Sequence, residues 1–136
     1  MKIMKKLILL TTTFLITLSS FGQGFINENS EIIRKFLIIN NMNFENYSDS
    51  CKQTTFIVTK KENEIIVFNF LNDYCSDISI IKYNSDINNV KTIFDKKYPR
   101  IHDVWCLPNS HITVSSIKDI VFINEISDNG TITDNF

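Results

Sequence analysis

The run IIVFNFL, from Ile65 to Leu71, constrains the fold of this chain more than any other stretch. In an extended strand, alternate side chains point to opposite faces of the sheet. Because every position of this run except Asn69 is apolar, both faces of the strand are apolar. Such a strand is typical of the interior of a sheet whose two faces are both covered. We therefore predict that this strand is central and that the preceding strand, residues 55–59, lies nearer an edge.

The rest of the chain alternates between short strand-like and helix-like segments joined by polar turns. The predicted elements are a helix over residues 31–40, strands over 55–59, 65–71 and 78–83, a helix over 87–98, and strands over 100–107 and 120–126. Both helices carry apolar residues at helical spacing. Strands joined by short turns favour antiparallel pairing. The predicted fold class is therefore α+β: a mostly antiparallel sheet of about five strands with two helices packed on one face, in the order α-β-β-β-α-β-β.

Residues 1–22 have the layout of a secretory signal peptide. Its parts are a positive start (Lys2, Lys5 and Lys6), an uncharged and largely apolar run (Leu7–Leu18) and small residues before the cleavage site (Ser20 and Gly22). The apolar run is shorter than the roughly 20 residues that a transmembrane helix needs. We predict cleavage before Gln23, export to the periplasm or the medium of a bacterium, and no membrane span after cleavage. Residues 23–136 then form a single α+β domain.

The charge of the chain narrows the classes of partner. The full sequence has a formal net charge of −1, and removal of residues 1–22 takes away three lysines and no acid, which gives −4. A mildly acidic surface argues against nucleic acid or an anionic membrane as the main partner. The acidic charge does not exclude a cationic protein partner.

Two of the three cysteines bracket the predicted hairpin. With its turn centred on Asn63, Cys51 and Cys75 fall opposite each other at the open end, where paired strands bring side chains close enough for a disulfide. Exported proteins enter an oxidising compartment, which favours such a bond. We predict a Cys51–Cys75 disulfide, with Cys106 left as a buried thiol.

One cluster, in the stretch IHDVWCLPNSH, combines residue types that carry chemistry: His102, Asp103, Cys106 and His111. On a strand His102 and Cys106 share a face, and the turn signal Pro-Asn-Ser allows His111 to fold back towards Cys106. This arrangement permits a Cys/His metal site or a Cys–His nucleophile pair. The spacing matches no strong metal motif, and we interpret the cluster as a buried cysteine beside two partly exposed histidines at strand ends.

No catalytic signature occurs elsewhere. With three glycines in the chain a phosphate-binding loop is excluded, and neither G-x-S-x-G nor H-E-x-x-H is present. We therefore predict a non-catalytic exported domain without a cofactor that binds a protein or peptide partner, as an inhibitor or immunity-type protein does. Tyr47 and Tyr74, which lie in polar context near the hairpin mouth, are the predicted partner-binding residues. The alternative is a metal- or thiol-dependent protein centred on Cys106 with His102 and His111.

Overall fold

A computed structural model describes residues 24–49, 51 and 54–128. These residues form two helices and eight strands. The helices are α1 (Ser30–Ile39) and α2 (Ile87–Lys97). The strands are β1 (Phe44–Asp49), β2 (Thr54–Lys61), β3 (Glu64–Leu71), β4 (Tyr74–Lys82), β5 (Arg100–Ile101), β6 (Val104–Cys106), β7 (Ser110–Ile117) and β8 (Ile120–Ser127). The predicted signal peptide, residues 1–22, lies outside the described residues. Within the described ranges, neither helix is long and apolar enough to cross a membrane.

The strands form one antiparallel sheet in the order β1-β2-β3-β4-β8-β7-β6-β5. The prediction of about five strands in the order α-β-β-β-α-β-β is therefore wrong, because the described residues contain eight strands. Strand β3, which contains the doubly apolar run, does lie inside the sheet between β2 and β4. Strand β2 is second from the edge.

Two kinds of strand were not predicted correctly from the sequence. Strand β1 has the sequence FENYSD, and its exposed polar residues lack the alternation expected of a half-buried strand. The other strands were missed or merged because they are joined by two-residue turns without glycine. Lys118 and Asp119, which join β7 to β8, form one such turn, and His102 and Asp103, which join β5 to β6, form another. The first residue of each turn has a positive φ. The residues that usually mark such a position are glycine, asparagine and aspartate, so lysine and histidine there carry a weak signal.

The described chain consists of two halves with the same order of elements, a helix followed by four strands. Each half is an antiparallel meander, and the two meanders join through their last strands, β4 and β8. In each half, a backbone hydrogen bond attaches the chain at the start of the helix to the turn of the last hairpin. Ser30 N–H donates to the Asp73 carbonyl at 3.0 Å, and Ser85 N–H donates to the Asp119 carbonyl at 2.8 Å. The sequence shows no matching repeat, so the duplication exists at the level of topology.

The hydrophobic core lies between the sheet and the two helices, on one face of the sheet. On the α1 side, Phe25 packs edge-on against Phe36 of the helix and Phe68 of β3, with ring centroids 4.8 and 6.1 Å apart. On the α2 side, the Phe94 ring lies 5.8 Å from Trp105 of β6. One cross-strand row joins Phe68, Ile78, Glu125, Ile112 and Trp105, so these contacts are on the same face. Both helices therefore cover this face, which we call the covered face.

Helix α1 begins with Asn29, whose side-chain oxygen accepts a hydrogen bond from Glu31 N–H at 2.8 Å. Asp86 caps α2 in the same way, accepting from Asn88 N–H at 2.9 Å. Such caps satisfy one of the N–H groups that a helix start leaves without a partner. These caps help to fix where each helix begins on the covered face.

Candidate functional site

The opposite face of the sheet is uncovered by any helix or strand in the described part of the chain. We call it the open face. It is defined by a cross-strand row that runs through Tyr47, Phe56, Asn69, Asp77, Ile126, His111 and Cys106 and by the rows parallel to it. A neighbouring row includes Ile65, Ile81 and Phe122, each of which keeps part of its surface exposed. The apolar pattern of β3 predicts cover on both of its faces, and among the described residues only one face is covered.

Four side chains on the open face form an aromatic and aliphatic patch at one end of the first half: Tyr47, Phe56, Leu71 and Tyr74. Tyr47 lies directly opposite Phe56, and Leu71 lies directly opposite Tyr74. Phe56 and Leu71 are diagonal neighbours on paired strands, a separation that aromatic side chains bridge. Tyr47 and Tyr74 are 51% and 55% exposed, and Leu71 is 43% exposed. We refer to these four residues as the aromatic patch.

The aromatic patch has an acidic margin on β1. Glu45 and Asp49 flank Tyr47 on the same face, since side chains two apart on a strand point the same way. The Tyr47 hydroxyl donates a hydrogen bond to the Glu45 carboxylate, and this bond raises the pKa of Tyr47. Lys60 of β2 lies diagonal to Glu45 and is the basic residue closest to it in the register of this face. The margin keeps a net negative charge.

A polar strip crosses the middle of the open face. Asn69 Nδ2 donates to Asp77 Oδ2 at 2.7 Å, and Ser79 Oγ donates to Asn124 Oδ1 at 2.7 Å. The first bond joins β3 to β4. The second joins β4 to β8, the pair of strands through which the two halves meet. The open face therefore combines apolar side chains with fixed hydrogen-bonding groups, as protein-binding surfaces do.

The structure brings together two members of the predicted Cys/His cluster and separates the third. Cys106 and His111 are direct partners on β6 and β7, and both are on the open face. His111 Nδ1 lies 3.1 Å from Asp128 Oδ1, and because a carboxylate only accepts, that nitrogen carries the proton. His102 occupies the β5–β6 turn at a φ of 56°, so it does not share a strand face with Cys106 as predicted. Asp128 was not among the residues predicted for this cluster.

In the described ranges, no group of three or more His, Cys, Asp and Glu side chains is arranged to hold a metal ion. The contacts of these residues also include no hydrogen bond between Cys106 Sγ and His111. What the arrangement offers is a thiol beside an imidazole that a carboxylate orients, which is a partial set for nucleophilic chemistry.

The structure leaves Cys51, Cys75 and Cys106 unpaired, so it does not contain the predicted Cys51–Cys75 disulfide. The register behind that prediction does not occur. Lys61 pairs with Glu64, so the hairpin turn is centred between Glu62 and Asn63 rather than on Asn63. In addition β3 ends at Leu71, which places Cys75 on the next strand, whereas Cys51 lies in the β1–β2 connection. Because the side-chain period of a strand is two residues, a one-residue slip is enough to misplace a cysteine.

We expect the three thiols of the native protein to react with iodoacetamide at different rates. Cys51 is exposed and should react first, and Cys106 is partly exposed and should follow. Cys75 is buried, and burial together with the nearby Asp77 and Glu125 charges raises the pKa of its thiol, so it should stay unmodified until unfolding. Mass spectrometry of time-resolved samples measures the order. Modification of Cys106 faster than Cys51 would contradict this order and would favour thiol chemistry at the Cys106–His111 pair.

No protein-family model matches the chain, and no curated protein or solved structure matches it either. The geometry of the open face is therefore the basis for a functional proposal.

Tyr47 and Tyr74 were predicted from the sequence, whereas their neighbours Phe56 and Leu71 were not. The sequence does contain a pattern that places Leu71 beside Tyr74. Asn72-Asp73 is a two-residue hairpin turn, and such a turn places the residues on either side of it opposite each other. Leu71 and Tyr74 were therefore a predictable pair once the turn was assigned.

Proposed function

We propose that this chain is a small exported protein that binds a protein partner through its open face and catalyses no reaction. The observation that supports this proposal most is that the described helices cover only one face of the sheet, although its central strand β3 is apolar on both faces. Helices cover one face, and the other presents the aromatic patch and further aliphatic side chains to solvent. Contiguous exposed apolar surface of this kind marks interaction sites in soluble proteins.

The residues of the open face indicate the chemistry of the partner. Tyrosine is enriched at the energetic centres of protein interfaces, and the exposed Tyr47 and Tyr74 flank the apolar side chains of the aromatic patch. Glu45 and Asp49 form the acidic margin of the aromatic patch. The complementary surface is an apolar patch bordered by Lys or Arg. A secreted enzyme or toxin with such a patch fits an inhibitor or immunity-type role.

We expect the double substitution Leu71→Ser/Tyr74→Ser to weaken partner binding at least tenfold. Both side chains are about half exposed, so their replacement should leave the fold intact. The matched control is Ile32→Ser/Ile39→Ser on α1, where the two isoleucines are 51% and 78% exposed but lie on the covered side. The partner is captured from the periplasmic and secreted fractions with the mature chain, identified, purified and titrated against each variant by calorimetry.

Three results would contradict the proposal. The first is recovery of no stoichiometric partner. The second is equal affinity of the patch variant and the unsubstituted chain. The third is a loss of affinity confined to the α1 variant, which would move the binding surface to that helix.

A further inference from the structure

The outer edge of β1 is a six-residue sheet edge that no other described strand pairs with. In the described part of the chain β1 pairs with β2 alone, and no backbone hydrogen bond reaches its other side. The topologically equivalent edge strand of the second half, β5, has only two residues and ends at a turn. Natural sheets shorten, kink or charge their edges to prevent pairing with other chains. The second half does so by shortening, whereas β1 keeps six residues without proline, glycine or a bulge and is protected only by the charges of Glu45 and Asp49.

The charge of β1 selects among the possible occupants of this edge. Its charged residues are Glu45 and Asp49, and it carries no Lys or Arg. A second copy paired through β1 would bring four carboxylates onto two adjacent strands, which like-charge repulsion disfavours. A basic strand would instead place opposite charges across the pair. Because side chains alternate, the positions facing Glu45 and Asp49 are four residues apart on the incoming strand.

Two cavities border β1 and give space for side chains of an incoming strand. One of about 390 Å³ lies at the start of β1 and is lined by Ile38, Asn41, Met42, Asn43 and Phe44. The other, of about 150 Å³, lies between α1 and the first two strands. Its lining includes Arg34, Asn46 and Ser48, and also Tyr47 and Phe56 of the aromatic patch. In strand addition, backbone hydrogen bonds supply affinity and pockets for alternate side chains supply selectivity.

We propose that β1 is a strand-addition site for an extended basic segment of a partner protein, with Lys or Arg residues four positions apart beside Glu45 and Asp49. An apolar residue of the same segment enters the cavity at Ile38, Met42 and Phe44. The segment continues the sheet as an additional strand outside β1. This site binds through the backbone of the sheet edge and shares Glu45 and Asp49 with the acidic margin of the open face. It goes beyond the proposed function, and it does not need Leu71 or Tyr74 of the aromatic patch.

A displayed library of random nine-residue peptides, selected against the mature chain, tests this proposal. Enriched peptides are expected to carry two basic residues four apart and to lose binding when a central residue becomes proline. Binding should slow amide hydrogen exchange in residues 44–49. The variant Glu45→Lys/Asp49→Asn should weaken binding at least tenfold; it keeps an acceptor for the 3.0 Å bond that Asp49 receives from Cys51 N–H. The control Glu62→Lys/Asp103→Asn makes the same charge change at two exposed positions elsewhere and should have no effect.

Several outcomes would overturn the proposal: no enrichment, enriched peptides without basic pairs, equal binding to both charge variants, or slowed exchange away from β1. A dimer that protects residues 44–49 in the absence of peptide would make a second copy the occupant. The patch variant Leu71→Ser/Tyr74→Ser separates the two proposals. It should bind the peptide normally, and retained partner affinity in that variant would refute the open-face function while leaving strand addition standing.

Discussion

Replacement of Trp105 by alanine is expected to lower the free energy of unfolding by about 4 kcal/mol, the range found for large aromatic residues in protein cores. Trp105 is fully buried and packs against Phe94 of α2. Its indole Nε1–H donates to Asp95 Oδ1 at 2.9 Å, and the Arg100 guanidinium lies 5.2 Å from its ring centroid. Alanine removes all of these contacts and leaves a cavity between α2 and the sheet.

Urea unfolding of Trp105→Ala, Trp105→Phe and the unsubstituted chain measures this effect. Phenylalanine keeps a buried ring and loses the hydrogen bond, so it should cost about 1 to 2 kcal/mol. Since β4 and β8 join the two halves, both halves should unfold in one transition. A cost below about 1 kcal/mol for alanine would show that α2 does not pack on β6 as described.

Stability is expected to fall as pH rises from about 5 to 8 because of Glu125. This side chain is buried on the covered face, where burial raises the pKa of its carboxyl to about 7, although a hydrogen bond from Ser110 Oγ at 2.5 Å lowers it in part. Its other oxygen is buried and has no hydrogen-bond partner in the described residues. The buried Cys75 thiol and the Tyr98 hydroxyl, whose pKa burial also raises, are the other titratable groups that respond to its charge.

The sign follows from the two states. Below the ordinary value of 4.5 the carboxyl is protonated in both states, and its ionisation imposes no cost. Between 4.5 and about 7 the unfolded chain loses the proton and the folded chain keeps it, so the free energy of unfolding falls. Above 7 the loss levels off at about 3 kcal/mol, since one pKa unit corresponds to about 1.4 kcal/mol.

Chemical unfolding at pH 5, 6, 7 and 8, with Glu125→Gln as the comparison, measures this loss. The amide is close to the carboxyl in shape and does not ionise, so the variant should be insensitive to this titration and more stable than the unsubstituted chain at pH 8. The difference between the two proteins removes the contribution of other groups. Parallel pH curves for the two proteins would show that Glu125 is not the cause.

The sequence predicted the interior position of β3 because consecutive apolar residues leave few alternatives. It failed on β1 because an edge strand with one side exposed needs little apolar surface, and FENYSD has little. It also failed on the register of the β2–β3 hairpin, since neither Glu62 nor Asn63 fixes the turn centre as an Asn-Gly pair does. The predicted disulfide depended on that register.

The candidate site was predictable only in part. Polar context identified Tyr47 and Tyr74 as exposed, because polar neighbours leave an aromatic ring little apolar surface to pack against. That they share one face with Phe56 and Leu71 depends on pairing across four strands, which is a long-range property. The sequence likewise does not show that no described helix or strand covers the open face, because an apolar strand has the same pattern whether one or both of its faces are packed.

Hydroxyl-radical footprinting of the mature chain, free and in complex with its purified partner, tests most directly whether the open face is the binding surface. The expected result is reduced oxidation of Phe56, Leu71 and Tyr74 in the complex and unchanged oxidation of Ile32 and Ile39 on α1. Unchanged oxidation of the aromatic patch together with protection of α1 would contradict the central proposal, since the partner would then bind the helical side of the molecule.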